Sequence, residues 1–547
     1  MSSRRLAAVT APARGETPSA PPPPGAVARQ PLLAAVSAHA ALARRALAFG
    51  VGALLACAFA PLQWWPLAIL CPAALMWLWE EAPPREAAWT GFWFSFGTFL
   101  AGTYWLYVSV HDLGKAPVWL TLAVMLGLIG IMALYNGLIG YAVSRWLPRS
   151  GAWRWLVGTP AVWLLVEWWR GWFLSGFSWL SLGYSQTDTW LAPLAPVLGV
   201  YGISLVLLMS AGALVALVRG TARVRLAAAL ILIAPWAAGA LLAPERWTHP
   251  SGPPVSVAVV QANIPQDDKW LDSASSMILE RYRKMTESAL GTQLIVWPEA
   301  ALPDLANNLL PYIARIDRET QARGSSLVMG VLNASPDGDH YYDSILALGK
   351  QPSWYSKDHL VPFAEFFPVP RFVRSWLRLM SLPYDSFSRG GTDQSPLPVA
   401  GLELGPTVCY EVGYGGYMLH MLPKADALVN VTNDAWFGHS TARYEQFQMA
   451  RMRTLEEGRS MIVATNDGIS AIIGPRGGIV ASAPPFQPYV LRSSVTPMAG
   501  LTPFARVGNW LVVSLAAVGL AAALSIRALW RRPGTAAATT LPPRSST

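Results

Sequence analysis

The sequence predicts a protein of two parts: an α-helical membrane domain with about eight transmembrane helices, and an α/β domain held outside the membrane. Two observations lead to this prediction. First, 53% of the 547 residues are hydrophobic and only 13% are charged, a composition too apolar for a wholly soluble chain. Second, long apolar runs fill most of residues 44–243, whereas residues 244–506 carry short β-type runs separated by turn residues. The change of pattern marks the boundary between the two domains.

Eight apolar runs approach the roughly 20 residues with which a helix crosses the hydrocarbon core. They cover residues 46–62, 64–79, 87–108, 118–143, 155–172, 191–218, 226–242 and 507–526. We therefore expect seven transmembrane helices in a membrane domain of residues 44–243 and a C-terminal one within residues 507–530. Residues 1–43 and 531–547 are expected to be disordered tails, since neither segment shows apolar periodicity.

Arginine collects in alternate connections between these runs. Arg44 and Arg45 precede the first run, and the other arginine-rich loops follow every second run thereafter. Positively charged short loops stay on the cytoplasmic side of a membrane, so both tails are expected in the cytoplasm and residues 244–506 on the opposite side. The net charge of +9 is thus mostly a topology signal, and we predict no nucleic-acid partner.

Residues 244–506 have the pattern of an α/β domain. β-type runs such as PVSVAVVQAN, QLIVWPE, LELGPTVCYE and ALVNVTNDAW are interleaved with helical segments at residues 273–290 and 444–457. In this fold class the chemistry usually lies where strands end and loops begin. Three polar residues occupy such positions: Glu299 after LIVWP, Lys357 after PSWYS and Cys409 after GPTV.

Cys409 is the only cysteine of the predicted exported domain, so it has no disulfide partner there. Taken singly, Glu299 can be an ordinary loop carboxylate, Lys357 a solvated charge and Cys409 a packed small side chain. Taken together they fit one mechanism, because a nearby ammonium lowers the pKa of a thiol and stabilises the anion of a tetrahedral intermediate. A carboxylate supplies the general base that takes the thiol proton.

Histidine offers no comparable site. The seven histidines are scattered along the chain and form neither an HExxH motif nor a His/Cys cluster. We therefore predict no metal site and no cofactor.

Several segments carry a resemblance to known proteins. LIVWPEAALPD, YSKDHLVPFAEFFP and VCYE resemble the Glu-Lys-Cys signature of the nitrilase superfamily, whose domains fold as an α-β-β-α sandwich. With seven apolar runs before this domain and one after it, and with VQANIPQDDKW, VTNDAWFG and EWWRGWFLSGFSWLSLGYSQ, the chain resembles the apolipoprotein N-acyltransferase family from about residue 45 to residue 530. The resemblance implies a bacterial inner-membrane protein with a periplasmic catalytic domain.

The resemblance also implies a reaction. Cys409 would attack an ester carbonyl of a phospholipid, typically phosphatidylethanolamine, and leave a lysophospholipid and a thioester acyl-enzyme. The acyl chain would then pass to the α-amine of the N-terminal S-diacylglyceryl cysteine of an apolipoprotein, which completes lipoprotein maturation. In this ping-pong scheme Glu299 is the general base, Lys357 the oxyanion stabiliser and Cys409 the nucleophile.

Three further residues match family positions close to the site. Glu365, in VPFAE, is expected to orient the ammonium of Lys357, although it can equally be a surface charge. Tyr410 and Glu411 directly follow the nucleophile and match positions with functional roles, although Tyr410 can simply pack.

Two segments are suited to contact with lipid. Trp270 matches a tryptophan that the family places on a mobile arm near the site, and it can equally anchor a loop. In PRFVRSWLRLM, Arg371 and Arg374 lie on one helical face and Trp376 lies elsewhere, a pattern typical of a short interfacial helix. The alternative is an ordinary amphipathic helix packed on the domain.

Two other functions remain open at this stage. A membrane-tethered amidase or nitrile hydrolase would need only one span, so eight argue against it. A transporter with an outer solute-binding domain should carry ionisable residues at mid-depth in its spans, and apart from Glu167 and Arg170 almost none are present.

Overall fold

The computed structural model describes residues 26–362, 364–366 and 387–531. Its N-terminal part is helical. The main helices are α1 (Ala26–Leu55), α2 (Leu67–Leu78), α3 (Pro84–Gly102), α4 (Val118–Trp146), α5 (Thr159–Arg170), α6 (Ala195–Arg219) and α7 (Ala222–Leu242). A further long helix, which we label α12 (Trp510–Arg531), follows the α/β domain.

Small residues allow the membrane helices to approach closely. A Cβ atom on Gly91 of α3 would lie 2.3 Å from the backbone oxygen of Asn136 in α4, and one on Gly140 of α4 would lie 2.2 Å from the backbone oxygen of Ala87. Such close backbone contact replaces the hydrophobic driving force that is missing between helices in lipid. The α3–α4 pair therefore depends on glycine at these two positions.

The predicted number of spans is only partly reproduced. Each of the eight apolar runs contains a helix, but within the described part of the chain five helical segments are long and apolar enough to cross a membrane: His39–Ala58, Val118–Trp146, Ala192–Arg219, Ala222–Leu242 and Trp510–Leu529. α2 has 12 residues, which is short for a complete span. Eight spans therefore remain a prediction.

The N-terminal boundary also differs from the prediction. Helix α1 begins at Ala26, within the segment 1–43 that was expected to be disordered. The alanine-rich stretch AAVSAHAALARRALA explains the extension, because alanine has the highest helix propensity. The predicted tail at residues 531–547 lies outside the described residues apart from residue 531.

Two mixed six-stranded sheets form the α/β domain. The first has the order β13-β2-β3-β4-β5-β6 and the second β12-β11-β10-β9-β8-β7, while β1 and β14 pair as a separate ribbon. The strands are β1 (His249–Pro250), β2 (Val255–Gln261), β3 (Leu294–Val296), β4 (Ser326–Ala334), β5 (Tyr341–Leu348), β6 (Pro352–Ser356), β7 (Leu397–Val399), β8 (Leu402–Val408), β9 (Ala427–Thr432), β10 (Met461–Thr465), β11 (Ala471–Ile473), β12 (Ile479–Ser482), β13 (Tyr489–Val495) and β14 (Met498–Ala499). Strands β2, β3 and β4 are parallel, as are β8, β9 and β10.

Helices cover the two outer faces of this sandwich. The α-helices described in this part of the chain are α8 (Asp272–Ala289), α9 (Leu310–Gln321), α10 (Ala442–Glu457) and α11 (Pro503–Val507). Apolar side chains of both sheets, among them Val257 and Val429, form the inner core, and α8 and α9 share a second core with the first sheet. Helix α10 lies outside the second sheet, so the layers run α-β-β-α.

Helix α10 also joins the two domains. Ala450 packs with the apolar residues of the second sheet, whereas Met449, Met452 and Leu455 belong to the cluster formed with the membrane helices. A helix with two apolar faces must be buried on both sides. The second sheet is therefore the one that faces the helical domain.

Candidate active site

The three residues singled out by the sequence lie at strand ends. Glu299 follows β3 by three residues, while Lys357 and Cys409 directly follow β6 and β8. Cys409 has a φ of 52° and begins a short 3-10 turn that ends at Gly413. A non-glycine residue in this left-handed region is uncommon. A sharp turn of this kind at the carboxyl end of a strand exposes the side chain that it carries.

Lys357 lies at the centre of a group of carboxylates. Its side chain is fully buried, and its Nζ lies 2.5 Å from Glu365 Oε1, 3.6 Å from Asp343 Oδ2 and 3.7 Å from Glu299 Oε1. Burial lowers the pKa of Lys357, but the carboxylates, Glu365 foremost, outweigh burial and hold this pKa well above its usual value. The lysine is therefore a permanent cation in the site.

The surroundings of Cys409 favour its protonated thiol. Burial raises its pKa well above the usual value and the charge of Glu299 raises it further, whereas Lys357 and the nearby Thr432 hydroxyl lower it. Because the thiolate is the reactive form, a base must take the proton as the sulfur attacks.

Glu299 is held in a fixed orientation. Its Oε2 accepts a hydrogen bond of 2.7 Å from the backbone N–H of Asn433, and its own backbone oxygen lies 3.3 Å from Nζ of Lys269. Burial lowers the pKa of Lys269 to about 8, while Glu299 opposes this effect. The carboxylate is thus held by Asn433 at one oxygen, with Lys357 Nζ 3.7 Å from the other.

Glu411 connects the loops that carry the lysine and the cysteine. Its carboxylate accepts hydrogen bonds from the backbone N–H groups of Val408, Asp358 and His359 and from the hydroxyl of Tyr355, at 2.8 to 2.9 Å. Burial raises the pKa of Glu411 to about 7, and the backbone hydrogen bonds oppose that rise. Its contacts make it a positioning residue, since they all go to the supporting backbone and to Tyr355.

Aromatic side chains line the side of the site that faces the membrane helices. Tyr410 is buried and stacks on Trp179, with ring centroids 6.3 Å apart. His359 packs on Tyr414 at 3.9 Å. Trp270 keeps 44% of its surface exposed and lies beside Lys269. These rings give this side of the site an aromatic wall.

The structure does not test every residue that the sequence singled out. Arg371, Arg374 and Trp376, predicted to contact lipid, lie outside the described residues. Glu299, Lys357, Glu365, Tyr410 and Glu411 lie together, as the sequence analysis expected, but their roles remain proposals.

Sequence reasoning missed four residues of the site. Asp343, Lys269, Thr432 and Asn433 contact or adjoin the three central side chains. Asp343 offered a signal, because an acidic residue directly before the apolar run SILAL of β5 is unusual in a buried strand. The other three come from loops and strand ends whose proximity depends on the fold.

Oxygen atoms of Glu299, Asp343 and Glu365 lie within 4.8 Å of one another, a spacing that could hold a metal ion. The ammonium of Lys357 already lies within 3.7 Å of all three carboxylates. The lysine therefore supplies the positive charge that this group of carboxylates needs.

The α-β-β-α sandwich, with Glu299, Lys357 and Cys409 at its strand ends, has the architecture of a carbon-nitrogen hydrolase domain, and the model of the carbon-nitrogen hydrolase family matches residues 256–498. The model of the apolipoprotein N-acyltransferase N-terminal domain matches residues 51–213. The chain belongs to the apolipoprotein N-acyltransferase family.

Individual relatives agree over most of the chain. The apolipoprotein N-acyltransferase of Azotobacter vinelandii is 41% identical over 485 residues, which cover 87% of this chain and 94% of the relative. That of Methylococcus capsulatus is 38% identical over 476 residues, or 86% of this chain and 94% of the relative. Among solved structures, a carbon-nitrogen hydrolase from Helicobacter pylori G27 aligns with a TM-score of 0.35 and 15% identity, over 51% of this chain and 93% of that one.

Proposed function

We propose that this protein transfers an acyl chain from a phospholipid, through a thioester on Cys409, to the α-amine of the N-terminal S-diacylglyceryl cysteine of bacterial lipoproteins. The observation that carries the mechanism is the meeting of a thiol, a fixed carboxylate and a permanent ammonium beside an aromatic wall. Membership of the acyltransferase family supports the choice of substrates, and phosphatidylethanolamine is the proposed donor.

The first half-reaction forms the acyl-enzyme. Glu299 takes the thiol proton while the sulfur of Cys409 attacks the ester carbonyl of the phospholipid. The ammonium of Lys357 stabilises the oxyanion of the tetrahedral intermediate. When the intermediate collapses the ester C–O bond breaks, and Glu299 returns the proton to the oxygen of the departing lysophospholipid.

The second half-reaction transfers the acyl chain to nitrogen. An α-amine has a pKa of about 8, so its neutral form is available near neutral pH. The amine attacks the thioester, the C–S bond breaks, and Glu299 carries the amine proton to the leaving sulfur. Water must be kept out in between, and the aromatic wall of Tyr410 and Trp179 suits that task.

The membrane arrangement follows from the same proposal. We place the protein in the bacterial inner membrane with eight spans, both termini in the cytoplasm and residues 244–506 in the periplasm. A cysteine introduced at exposed Asp337 should react with a membrane-impermeant maleimide in cells with a permeabilised outer membrane. A cysteine at Ser150, in an arginine-flanked loop, should react only after lysis, and the reverse pattern would refute the orientation.

The mechanism is tested by intact mass after incubation with phosphatidylethanolamine and no acceptor. We expect one acyl chain on the wild-type protein, removable by hydroxylamine, and none on Cys409→Ala. An unmodified wild-type protein under conditions of turnover would rule out the covalent intermediate. Addition of a diacylglyceryl peptide then separates the two enzyme functions, because an acyltransferase gives the N-acyl peptide and a hydrolase gives free fatty acid.

A further inference from the structure

One carboxyl group in the site has no part in the mechanism above. Asp343 lies in β5, is 4% exposed, and has its Oδ2 3.6 Å from Nζ of Lys357. Its Oδ1 is buried and, among the described residues, has no hydrogen-bond donor. A buried carboxylate oxygen without a donor costs free energy, because its interaction with water is lost and not replaced. The position of this oxygen therefore needs an explanation.

Asp343 faces a crowded set of charges. The groups that act on it are the carboxylates of Glu299 and Glu365 and the ammonium of Lys357, with Lys269 also within electrostatic range. Oxygen atoms of the three carboxyl groups lie within 4.8 Å of one another. Like charges at this distance in a buried site cannot all remain ionised, and one carboxyl group of such a set keeps a proton.

The neighbours of each carboxyl group indicate where the proton lies. Asp343 and Glu299 have oxygen atoms within 4.8 Å of each other, and two carboxylates have no hydrogen to share. The carboxylate of Glu299 already accepts from Asn433, and Glu365 accepts from Lys357 and from the backbone of Val361. Among the described residues, Asp343 is the one of the three with a fully buried oxygen that meets no donor, so it is the group best placed to carry the hydrogen.

We propose that Asp343 carries a proton in the resting enzyme and donates a hydrogen bond to Glu299, which makes it a positioning residue for the general base. This inference rests on the proposed function of Glu299. Burial and the charge of Glu299 both raise the pKa of Asp343 well above its usual value, whereas Lys357 lowers it, a balance in agreement with the proposal.

If Asp343 is protonated, an amide at this position should be able to replace its carboxyl group as a hydrogen-bond donor. Asn in place of Asp343 keeps a neutral donor of the same shape, whereas Leu keeps the volume and removes the donor. The reaction to follow is single-turnover acylation by phosphatidylethanolamine without acceptor, from mildly acidic to alkaline pH, so that the acceptor amine cannot contribute to the profile. Thermal unfolding of each variant is measured alongside.

We expect Asp343→Asn to acylate within about threefold of the wild-type rate at neutral pH, and Asp343→Leu to be about 100-fold slower. The wild-type rate should fall at alkaline pH as Asp343 ionises, and in Asp343→Asn this fall should move upward by about one pH unit or more. If Asp343→Asn does not fold, Asp343→Ser, which keeps a smaller neutral donor, takes its place.

A folded Asp343→Asn variant that is as slow as Asp343→Leu would overturn the proposal, as would a profile that the substitution leaves unchanged. Failure of the proposed function is distinguishable, because the wild-type protein itself would then form no acyl-enzyme. In that event the wild-type, Asp343→Asn and Asp343→Leu proteins, each without Cys57 and Cys71, are compared by the pH profile of Cys409 alkylation with iodoacetamide.

Discussion

At the scale of single residues, Glu411 shows how one buried acid can set the geometry of a site without touching the reacting atoms. Four hydrogen bonds reach its carboxylate, two of them from the residues that directly follow Lys357 and one from the residue that precedes Cys409. A carboxylate can accept all four, since it has no hydrogen of its own.

Replacement of Glu411 by alanine should leave three buried N–H groups without acceptors, and we expect a loss of about 3–5 kcal/mol in the free energy of unfolding. Glu411→Gln should lose less stability, because one oxygen remains, but should also acylate slowly, since its NH2 group faces a donor. Thermal unfolding and single-turnover acylation measure the two effects. Glu403→Gln, at a partly exposed position of β8, is the control, and normal stability of Glu411→Ala would contradict the assigned role.

Thr432 affects the thiol directly. It follows the register pair of Val408 with Val431 in adjacent parallel strands, which places it opposite Cys409. Its hydroxyl donates to Asp434 Oδ1 at 3.0 Å, and its proximity lowers the pKa of the thiol. Because a hydroxyl rotates, it can turn to the sulfur once the thiol ionises, and a hydrogen bond to a charged group is worth about 1.5–3 kcal/mol. Loss of the hydroxyl should therefore destabilise the thiolate.

We expect Thr432→Val to move the alkylation profile of Cys409 to higher pH by about one to two units, because each unit corresponds to about 1.4 kcal/mol. The sign follows from the donor: it favours the thiolate, so its removal raises the pKa. Iodoacetamide labelling in a protein without Cys57 and Cys71 gives the profile. Thr432→Ser should restore it, and an unshifted valine profile would exclude the hydrogen bond.

At the scale of elements, the end of α10 is fixed by a glycine. Gly458 has a φ of 64°, and a Cβ there would lie 2.6 Å from the side chain of Thr248. Gly324, which follows α9, has a φ of 72°, but a Cβ at that position would meet nothing within 4 Å. Substitution of each glycine by alanine therefore separates the cost of backbone strain from the cost of a steric conflict.

Gly324→Ala should cost about 1 kcal/mol, the usual penalty of a left-handed alanine. Gly458→Ala should cost clearly more, because the strain is joined by the conflict with Thr248 at the junction between the domains. Thermal unfolding of both variants in the same detergent gives the comparison. Equal shifts would show that the contact at Thr248 relaxes freely.

At the scale of the whole molecule, the membrane domain directly supports the turn that carries Cys409. The hydroxyl of Tyr184 donates to the backbone oxygen of Gly413 at 2.9 Å, and Arg453 of α10 donates to the same hydroxyl at 3.3 Å. Gly413 ends the turn that begins at Cys409. The bundle is thus part of the frame of the site as well as its anchor.

Tyr184→Phe should lower the free energy of unfolding by about 1–3 kcal/mol, since it leaves a buried oxygen without its donor. We also expect acylation to slow about tenfold, because even a small displacement of a nucleophile lowers the reaction rate. The same two assays apply, with exposed Tyr489→Phe as control. Unchanged acylation in Tyr184→Phe would show that the turn holds its geometry without the membrane domain.

The sequence was most informative where a local pattern carries the signal. Short β-type runs marked β2, β3, β8 and β9 correctly, and the amphipathic segments marked α8 and α10, because side-chain period follows backbone geometry. It was less informative at the ends of elements and for very short strands. Helix α1 begins earlier than expected, and β1, β7 and β14 have too few residues for a period to show.

What the sequence by itself determined is the family, the two-domain organisation and the residues at strand ends, Glu299, Lys357 and Cys409, because strong motifs and apolar runs are local. Only the tertiary structure revealed that Asp343 joins the carboxylates around Lys357 and that Tyr184 of the membrane domain reaches the catalytic turn. Those contacts join residues far apart in the chain, and the burial that perturbs their protonation exists only once the two sheets and the helix bundle have packed together.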